Sequence, residues 1–389
     1  METMDVLILR PYTSLPSEGN VNDRYINLSK GFIYKGKSVI LITANYIHNK
    51  KQRRSYEDRD LNFQLVPFVV EVNSYSYTSN NSLGRILFEL IFSLKSIYFL
   101  FKYKPQRIIV GEPLFFTGWI ALIYGGLFSI PVYADLIDLW PEADTNFNTK
   151  SKVILRSVYK VLIFIRNLRF KLYKDVSFVS KSYAPYFNRN TGRNIFYWGS
   201  MLKPNKNADC GQVNSQIVIV YAGSFGIGYD IQGVINAAIA IRDAQIPNIR
   251  FVMAGNGPQL KIVLNAAQQK ILDYRGTLNE KELVDLYAES TIGLLPYKKN
   301  SMVAMPIKFY DYINFQIYTI SSLQLEVKDL IQHYGIGRSF ISEDSEDLKN
   351  SILQAIDEVR FQEVDYKEIA SILEISNQYR RLVDFYLNK

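Results

Sequence analysis

At 389 residues, with 48% hydrophobic and 21% charged side chains, the chain is long for one core and suits two folded domains of about 200 residues each. Its single cysteine, Cys210, excludes an intrachain disulfide framework, and no group of His, Cys and Asp has metal-ligand spacing. The net charge of +8 is uneven: residues 1–204 hold 27 Lys and Arg against 15 Asp and Glu, the remainder 18 against 22, and no nucleic-acid-binding motif accompanies the basic half.

In chain order, Met4-Asp-Val-Leu-Ile-Leu9 reads as a first strand, and no export signal is expected ahead of it. Pro16-Ser-Glu-Gly19-Asn-Val-Asn-Asp23-Arg24 then forms a glycine loop entering a helix through Tyr25, Leu28 and Phe32, and Gly36 to Ile42 gives a second strand. Leu83 to Lys104 is aromatic and basic but interrupted by Arg85, Glu89 and Lys95, which suits packing on a sheet or rest at a membrane surface. Residues 113–134 contain no charge and are long enough to cross a bilayer. Gly125-Gly126 and Pro131 break that run, so a buried helix followed by a strand over Pro131-Val-Tyr-Ala-Asp135 is expected. Residues 150–174 carry eight Lys or Arg and no acid among apolar side chains, the composition of a helix lying on anionic lipid with its basic groups at the headgroups. A buried helix with solvated basic flanks is the plainer alternative. The polar, turn-rich stretch from Leu202 to Gly211 marks a linker.

The second half alternates strands and helices. Ile217-Val-Ile-Val-Tyr-Ala-Gly223 is a buried strand ending in glycine, followed by Ser224-Phe-Gly226-Ile-Gly228 and the helical periodicity of Ile231, Val234, Ile235 and Ala238. Backbone N–H groups of such a loop, with the following helix N-terminus, can approach a diphosphate closely. Ile249 to Ala254 repeats the pattern before Gly255-Asn256-Gly257-Pro258. Leu278 to Ala288 is a helix and Ile292-Gly-Leu-Leu-Pro296 a strand. In Met305-Pro306-Ile-Lys308-Phe-Tyr-Asp311-Tyr312, Pro306 opens a helix that sets Lys308 and Asp311 on one face, a cation and a carboxylate suited to a phosphate and a ribose.

From Tyr221-Ala-Gly223-Ser to Asp311-Tyr312 these motifs resemble the C-terminal half of the family 4 retaining glycosyltransferases. Asp138-Leu-Trp140-Pro141-Glu142 is similar to a stretch of bacterial members that build O-antigen and capsule, such as fucosaminyltransferase-like enzymes. The resemblance implies an α/β protein of GT-B fold, two Rossmann-like domains whose parallel sheets face a central cleft. Residues 1–203 would bind the acceptor, with 375–389 crossing back; 204–212 would be the linker and 213–374 the nucleotide-sugar domain. It implies a nucleotide-sugar donor, UDP-linked, held by Gly223, Ser224, Gly226, Gly255, Asn256, Gly257, Pro306, Lys308 and Asp311, with Asp138 and Lys308 catalytic and Gly19 and Arg24 in an acceptor or diphosphate loop. No metal or other cofactor is expected. The acceptor is expected to be polyprenyl-diphosphate-linked or a polysaccharide, the partner surface an anionic membrane, and the place the cytoplasmic face of the cell membrane.

Departures from the family pattern are specific. Of two glutamates with seven residues between them, the first falls on Val303 and the second on Asp311, and the loop cations that hold donor phosphates in many members are missing between Ser224 and Asp230. Asn314-Phe315-Gln316 replaces the usual small-residue turn. A catalytically inactive GT-B subunit is therefore a rival, and a UDP-sugar epimerase a further one, although His48 and His333 are the only histidines. Asp138 is alternatively a helix N-cap, Arg24 a surface helix residue, and Glu112 and Glu142 structural groups.

Overall fold

The computed structural model describes residues 3–19, 23–79, 82–140, 142, 153–187, 194–200, 202–204, 216–299, 301–361 and 364–388. The chain forms two compact units, Met1–Phe196 with Gln378–Lys389, and Tyr197–Asn377. The first holds strands β1 (Val6–Leu9), β2 (Val39–Ala44), β3 (Val69–Val72), β4 (Arg107–Glu112), β5 (Val132–Leu136) and β6 (Asp175–Phe178), with helices α1 (Arg24–Tyr34), α2 (Tyr56–Leu65), α3 (Leu83–Tyr103), α4 (Thr117–Phe128) and α5 (Val153–Leu172). The second holds β7 (Ile217–Ala222), β8 (Ile249–Ala254), β9 (Asp273–Tyr274), β10 (Ile292–Leu295), β11 (Tyr318–Ser321) and β12 (Gly337–Ser339). Its helices are α6 (Ile231–Asp243), α7 (Leu260–Gln268), α8 (Glu280–Ala288), α9 (Ile307–Asn314), α10 (Glu326–Tyr334), α11 (Ser345–Phe361) and α12 (Lys367–Leu373). A last helix, α13 (Ile375–Leu387), starts in the second unit and runs on into the first.

Both sheets are parallel and share one topology: β3-β2-β1-β4-β5-β6 and β12-β11-β10-β7-β8-β9. In each, the first strand pairs with the second on one side and the fourth on the other, so the order reverses between β1 and β4 and between β7 and β10. Ligands of open parallel sheets bind beyond the carboxyl ends of the strands at such a reversal. The strands are near-continuous apolar runs, every residue of β1 and β7 being buried, because both faces of a parallel sheet are covered.

The division at Phe196 and Tyr197 lies ahead of the boundary expected after residue 203. Tyr197 donates to Glu326 Oε1 at 2.5 Å and Ser200 to Asp311 Oδ1 at 2.9 Å, which fastens this stretch to the second unit. Beyond Pro204 the expected linker lies outside the described residues.

The uncharged run 113–134 is α4 followed by β5. Gly125, in the last turn of α4, lets the returning chain pass close: a Cβ there would overlap Val132 and sit 2.7 Å from the Ile130 carbonyl oxygen. No helix among the described residues is long and apolar enough to cross a membrane.

Helix α5 corrects an expectation. Arg166 and Arg169 face inward instead of toward headgroups: Arg166 makes a bidentate pair with Glu142 (2.5 and 2.8 Å), and Arg169 donates to Glu112 at 2.8 Å and the Phe115 carbonyl at 2.8 Å. Glu112 also accepts from Tyr173 at 2.6 Å and the Leu114 N–H at 2.5 Å. Both glutamates are therefore structural, and they draw the guanidiniums into the fold because a buried charge needs a partner. The outward face is left with Val161, Phe164, Ile165, Leu168 and Leu172, beside exposed Lys160 and Lys171.

Arg24 is also displaced from its expected role. It is fully buried on α1, its Nε 2.7 Å from Asp135 Oδ2 and its Nη2 2.9 Å from Oδ1. Ser177 donates to the same carboxylate at 2.6 Å, and the Tyr386 hydroxyl lies 2.6 Å from Ser177 Oγ. This chain of bonds joins α1, β5, β6 and the returning α13, whose Tyr386 ring also packs on Tyr133 and Phe32.

Candidate active site

In the second unit the two glycine loops lean on each other. Gly223, after β7, donates its N–H to the Ala254 carbonyl at 2.8 Å, and Phe225 donates to the Asn256 carbonyl at 2.9 Å. A Cβ on Gly255 would overlap the Gly223 carbonyl oxygen, and one on Gly257 would stand 2.7 Å from the Phe225 backbone. Both have positive φ, +132° and +157°, so they are glycines for backbone approach as much as conformation. Ser224 and Asn256 are exposed at the loop tips, where Asn256 Oδ1 accepts the Gly257 N–H at 2.7 Å. A Cβ on Gly226 would lie 3.3 Å from the Ser224 hydroxyl oxygen, a close contact with a side chain that can turn away.

The helix end expected to receive a diphosphate is closed. Asp230 caps α6, accepting the Gly233 N–H at 3.0 Å, and its carboxylate occupies the positive helix end. The start of α9, by contrast, carries no side-chain cap: Pro306 is its N-cap, and while Phe309 donates to the Pro306 carbonyl at 3.0 Å, the N–H groups of Ile307 and Lys308 are left for solvent or an anion.

Lys308 lies in that first turn and its Nζ would be 2.6 Å from a Cβ on Gly223. The ammonium stands over the rings of Tyr221 (5.1 Å) and Tyr229 (4.9 Å), and Tyr229 in turn packs on Tyr297 at 4.8 Å. No carboxylate is within ion-pair distance of Lys308 among the described residues. A cation steadied by ring faces, at the strand-order reversal between β7 and β10, beside a glycine and an uncapped helix end, is arranged to meet an anion. Tyr229 lies outside every motif named above, and Tyr221, one residue inside the end of β7, reads as core until Lys308 is placed above it.

Asp311 lies one turn further along α9, 5% exposed, accepting from Ser200. Burial pushes its carboxyl up to about 7, opposed by the Ser200 hydroxyl and the charge of Lys308. Asp23, the buried N-cap of α1, is likewise raised to about 6 by burial. An acid whose folded pKa exceeds the unfolded value of about 4 holds more protons folded, so its contribution to stability falls as pH rises between the two values and is level above the higher. We expect the melting temperature to rise from pH 8 to pH 5.5, and the rise to be smaller in Asp311→Asn, which keeps an acceptor for Ser200. Parallel curves for the two proteins would remove Asp311 as a titrating group.

Of the first unit's expected residues, Gly19 ends a short 3-10 turn in left-handed conformation (φ +77°), and residues 20–22 beside it lie outside the described residues. Asp138 follows β5, is exposed, and accepts the Leu139 N–H at 2.8 Å; most of the residues that a helix after it would use lie outside the described residues. Although the residue reaches solvent, the protein packed around its carboxyl raises it, against the pull of that N–H and of Arg10 and Arg85. Val303 is exposed in the loop before α9, and His333 lies on the exposed side of α10.

Residues 203–369 match the family of glycosyl transferases group 1. The matched segment contains both glycine loops, Lys308 and Asp311. No curated protein matches the chain. Among solved structures, sucrose-phosphate synthase from Thermosynechococcus elongatus is similar at 11% identity and TM-score 0.68, covering 98% of each chain. The Anabaena HepE protein in complex with UDP and glucose is similar at 13% identity and TM-score 0.67, covering 99% of this chain and 100% of that one. UDP-GlcNAc 2-epimerase from Neisseria meningitidis bound to UDP-GlcNAc is similar at 12% identity and TM-score 0.60, with the same coverages. At these identities the likeness is one of fold, and the fold is GT-B.

Proposed function

We propose that this chain is a retaining glycosyltransferase that moves a sugar from a UDP-sugar to a lipid-linked or polysaccharide acceptor in surface-polysaccharide synthesis. The observation that carries it is Lys308, a cation with no ion pair among the described residues, set at the open end of α9 against Gly223. UDP in one fold relative, and the group 1 match over this segment, support the donor class. Lys308 and the α9 N–H groups would take up charge on the departing diphosphate, where fixed donors at a developing anion lower the barrier. Asp311 would accept hydrogen bonds from the ribose. In a retaining transfer the acceptor hydroxyl attacks from the side of the leaving group, and Asp138 would orient it or take its proton. No residue is assigned to a metal or other cofactor. The test is a melting-temperature panel of UDP, GDP, dTDP and CMP with their sugar conjugates, since a ligand of the native state raises the transition by mass action. A shift with one base and slow hydrolysis of its sugar conjugate are expected.

Val303, exposed where the family resemblance places a donor-sugar glutamate, favours a second reading: an inactive GT-B subunit that partners an active transferase. If no nucleotide shifts the transition, that reading replaces the first.

The acceptor's membrane location rests on the first unit. Helices α3, α4 and α5 are neighbours, α3 meeting α4 through Phe101 against Tyr124 and Phe128, and the outward side chains of all three include exposed Tyr98, Leu127 and Phe164. With Lys95, Lys102, Lys160 and Lys171 exposed beside them, this is a surface suited to anionic lipid at the cytoplasmic membrane face. Sedimentation with phosphatidylglycerol vesicles should fall at least about tenfold in Phe164→Glu with Leu168→Glu, as each buried apolar side chain is worth about 1.5–3 kcal/mol. Equal binding by the variant, or none by the wild type, removes the membrane from the proposal.

A further inference from the structure

The stretch that follows Phe196 is laid along α9. Tyr197 donates to Glu326 at the start of α10, the Trp198 N–H donates to the Tyr310 hydroxyl at 3.4 Å, and Asn314 donates to the Leu202 carbonyl. Gly199 permits this closeness: its φ is +83°, and a Cβ there would stand 3.1 Å from Ile375 Cα and 3.2 Å from the Leu373 carbonyl oxygen. Ser200 is thereby set against Asp311, to whose Oδ1 it donates at 2.9 Å.

That bond makes the two carboxylate oxygens different. Among the described residues Ser200 alone donates to the Asp311 side chain, so Oδ1 is engaged and Oδ2 is left for a ligand. An aspartate turns about only two side-chain bonds, and anchoring one oxygen fixes both, so the other oxygen is held ready in one direction. The charge acting on Asp311 is that of Lys308, one turn back on α9. Tyr287 on α8 and Tyr312 on α9 also feel the carboxylate, which with burial holds their phenol protons on. Ser200 Oγ lies 3.3 Å from the Leu202 carbonyl as well. Its one proton can serve the carboxylate when Asp311 is charged and turn to that carbonyl when Asp311 holds a proton of its own.

We propose that Ser200 is a positioning residue of the donor site, holding Oδ1 so that the Asp311 carboxylate presents Oδ2 to the hydroxyls of the donor's ribose. The inference rests on the reading of Asp311 as part of a UDP-sugar site. The same bond favours the charged form of a carboxyl that burial pushes up to about 7; without Ser200 it would rise further, and a neutral acid would meet the ribose.

The test is calorimetric titration of the full chain with UDP and with 2′,3′-dideoxy-UDP, which lacks both ribose hydroxyls. The ratio of the two affinities reads the ribose contact, since the diphosphate and its own titration are common to both. At pH 8 the natural chain should favour UDP at least about tenfold, and Ser200→Ala should cut that preference about fivefold while the affinity for the dideoxy nucleotide stays in place. In the natural chain the preference should fade as pH falls through about 7, and in Ser200→Ala it should fade at a higher pH, because the carboxylate has lost the bond that favoured its charge. Ser200→Thr keeps the hydroxyl, and a cavity of about 280 Å³ beside it has room for the added methyl, so both the ratio and its pH profile should return. A preference unchanged in Ser200→Ala, or an equal loss of both nucleotides, overturns the positioning role and leaves UDP as the donor nucleotide. UDP that fails to bind the natural chain overturns the donor reading and the role of Ser200 with it.

Discussion

Lys308→Ala should reduce sugar transfer by about 10²–10³-fold, the scale seen when one preorganised donor to a developing anion is removed. UDP affinity should fall less, by about tenfold or more, since a charge-assisted contact is worth about 1.5–3 kcal/mol and part of it serves only the transition state. Stability should barely move. The ammonium touches ring faces and, among the described residues, no carboxylate, so its loss forfeits about 0.5–1 kcal/mol of cation–π attraction together with its longer-range pull on Asp311. Transfer rates, UDP titration and the melting curve of the same preparation check all three. A variant that melts normally and retains full transfer would take Lys308 out of the site; one that melts several degrees lower would show a structural cation. Lys308→Arg should recover UDP binding only in part, because the longer planar group must fit against Gly223 and between Tyr221 and Tyr229.

Arg24→Met should cost about 3–5 kcal/mol of the first unit's stability, the penalty for leaving a buried carboxylate without its partner. Asp135 is fully buried, and after the substitution only Ser177 would donate to it among the bonds described. The double change Arg24→Met with Asp135→Leu should recover much of the loss, since removing both charges relieves the desolvation that the pair was compensating. Denaturant unfolding of the natural chain, both single variants and the double variant gives the coupling directly. Additive losses would mean that the pair is not what holds α1 to β5. UDP binding, which we propose for the other unit, should survive in all three, and this separates a structural role from a ligand-holding one.

Much of this architecture is legible in the sequence because parallel strands are written as unbroken apolar runs. Val6 to Leu9, Ile217 to Ala222 and Ile249 to Ala254 are such runs, and each occupies the strand expected of it. The short edge strands Asp273–Tyr274 and Gly337–Ser339 escape notice because two or three residues carry no periodicity. Lys308 beside a glycine loop is legible through Pro306, which fixes where α9 starts. The state of the α6 end is not: Asp230 reads as a loop residue until its carboxylate is seen on the Gly233 N–H. Arg24 and Arg166 show the same blindness in a stronger form. An arginine in a helix looks solvated in sequence, and only its distant partners, Asp135 and Glu142, decide that it turns inward.

The path of α13 has a consequence for how the protein is made. Tyr386 completes the bond chain that begins at Arg24, yet it is translated after the whole second unit. A domain that closes on its own residues can finish folding as it leaves the ribosome, at about 5–20 residues per second. Here the first unit must wait, with the surface that α13 covers still open, until residues 378–387 have emerged, so the second unit can reach its native state before the first does.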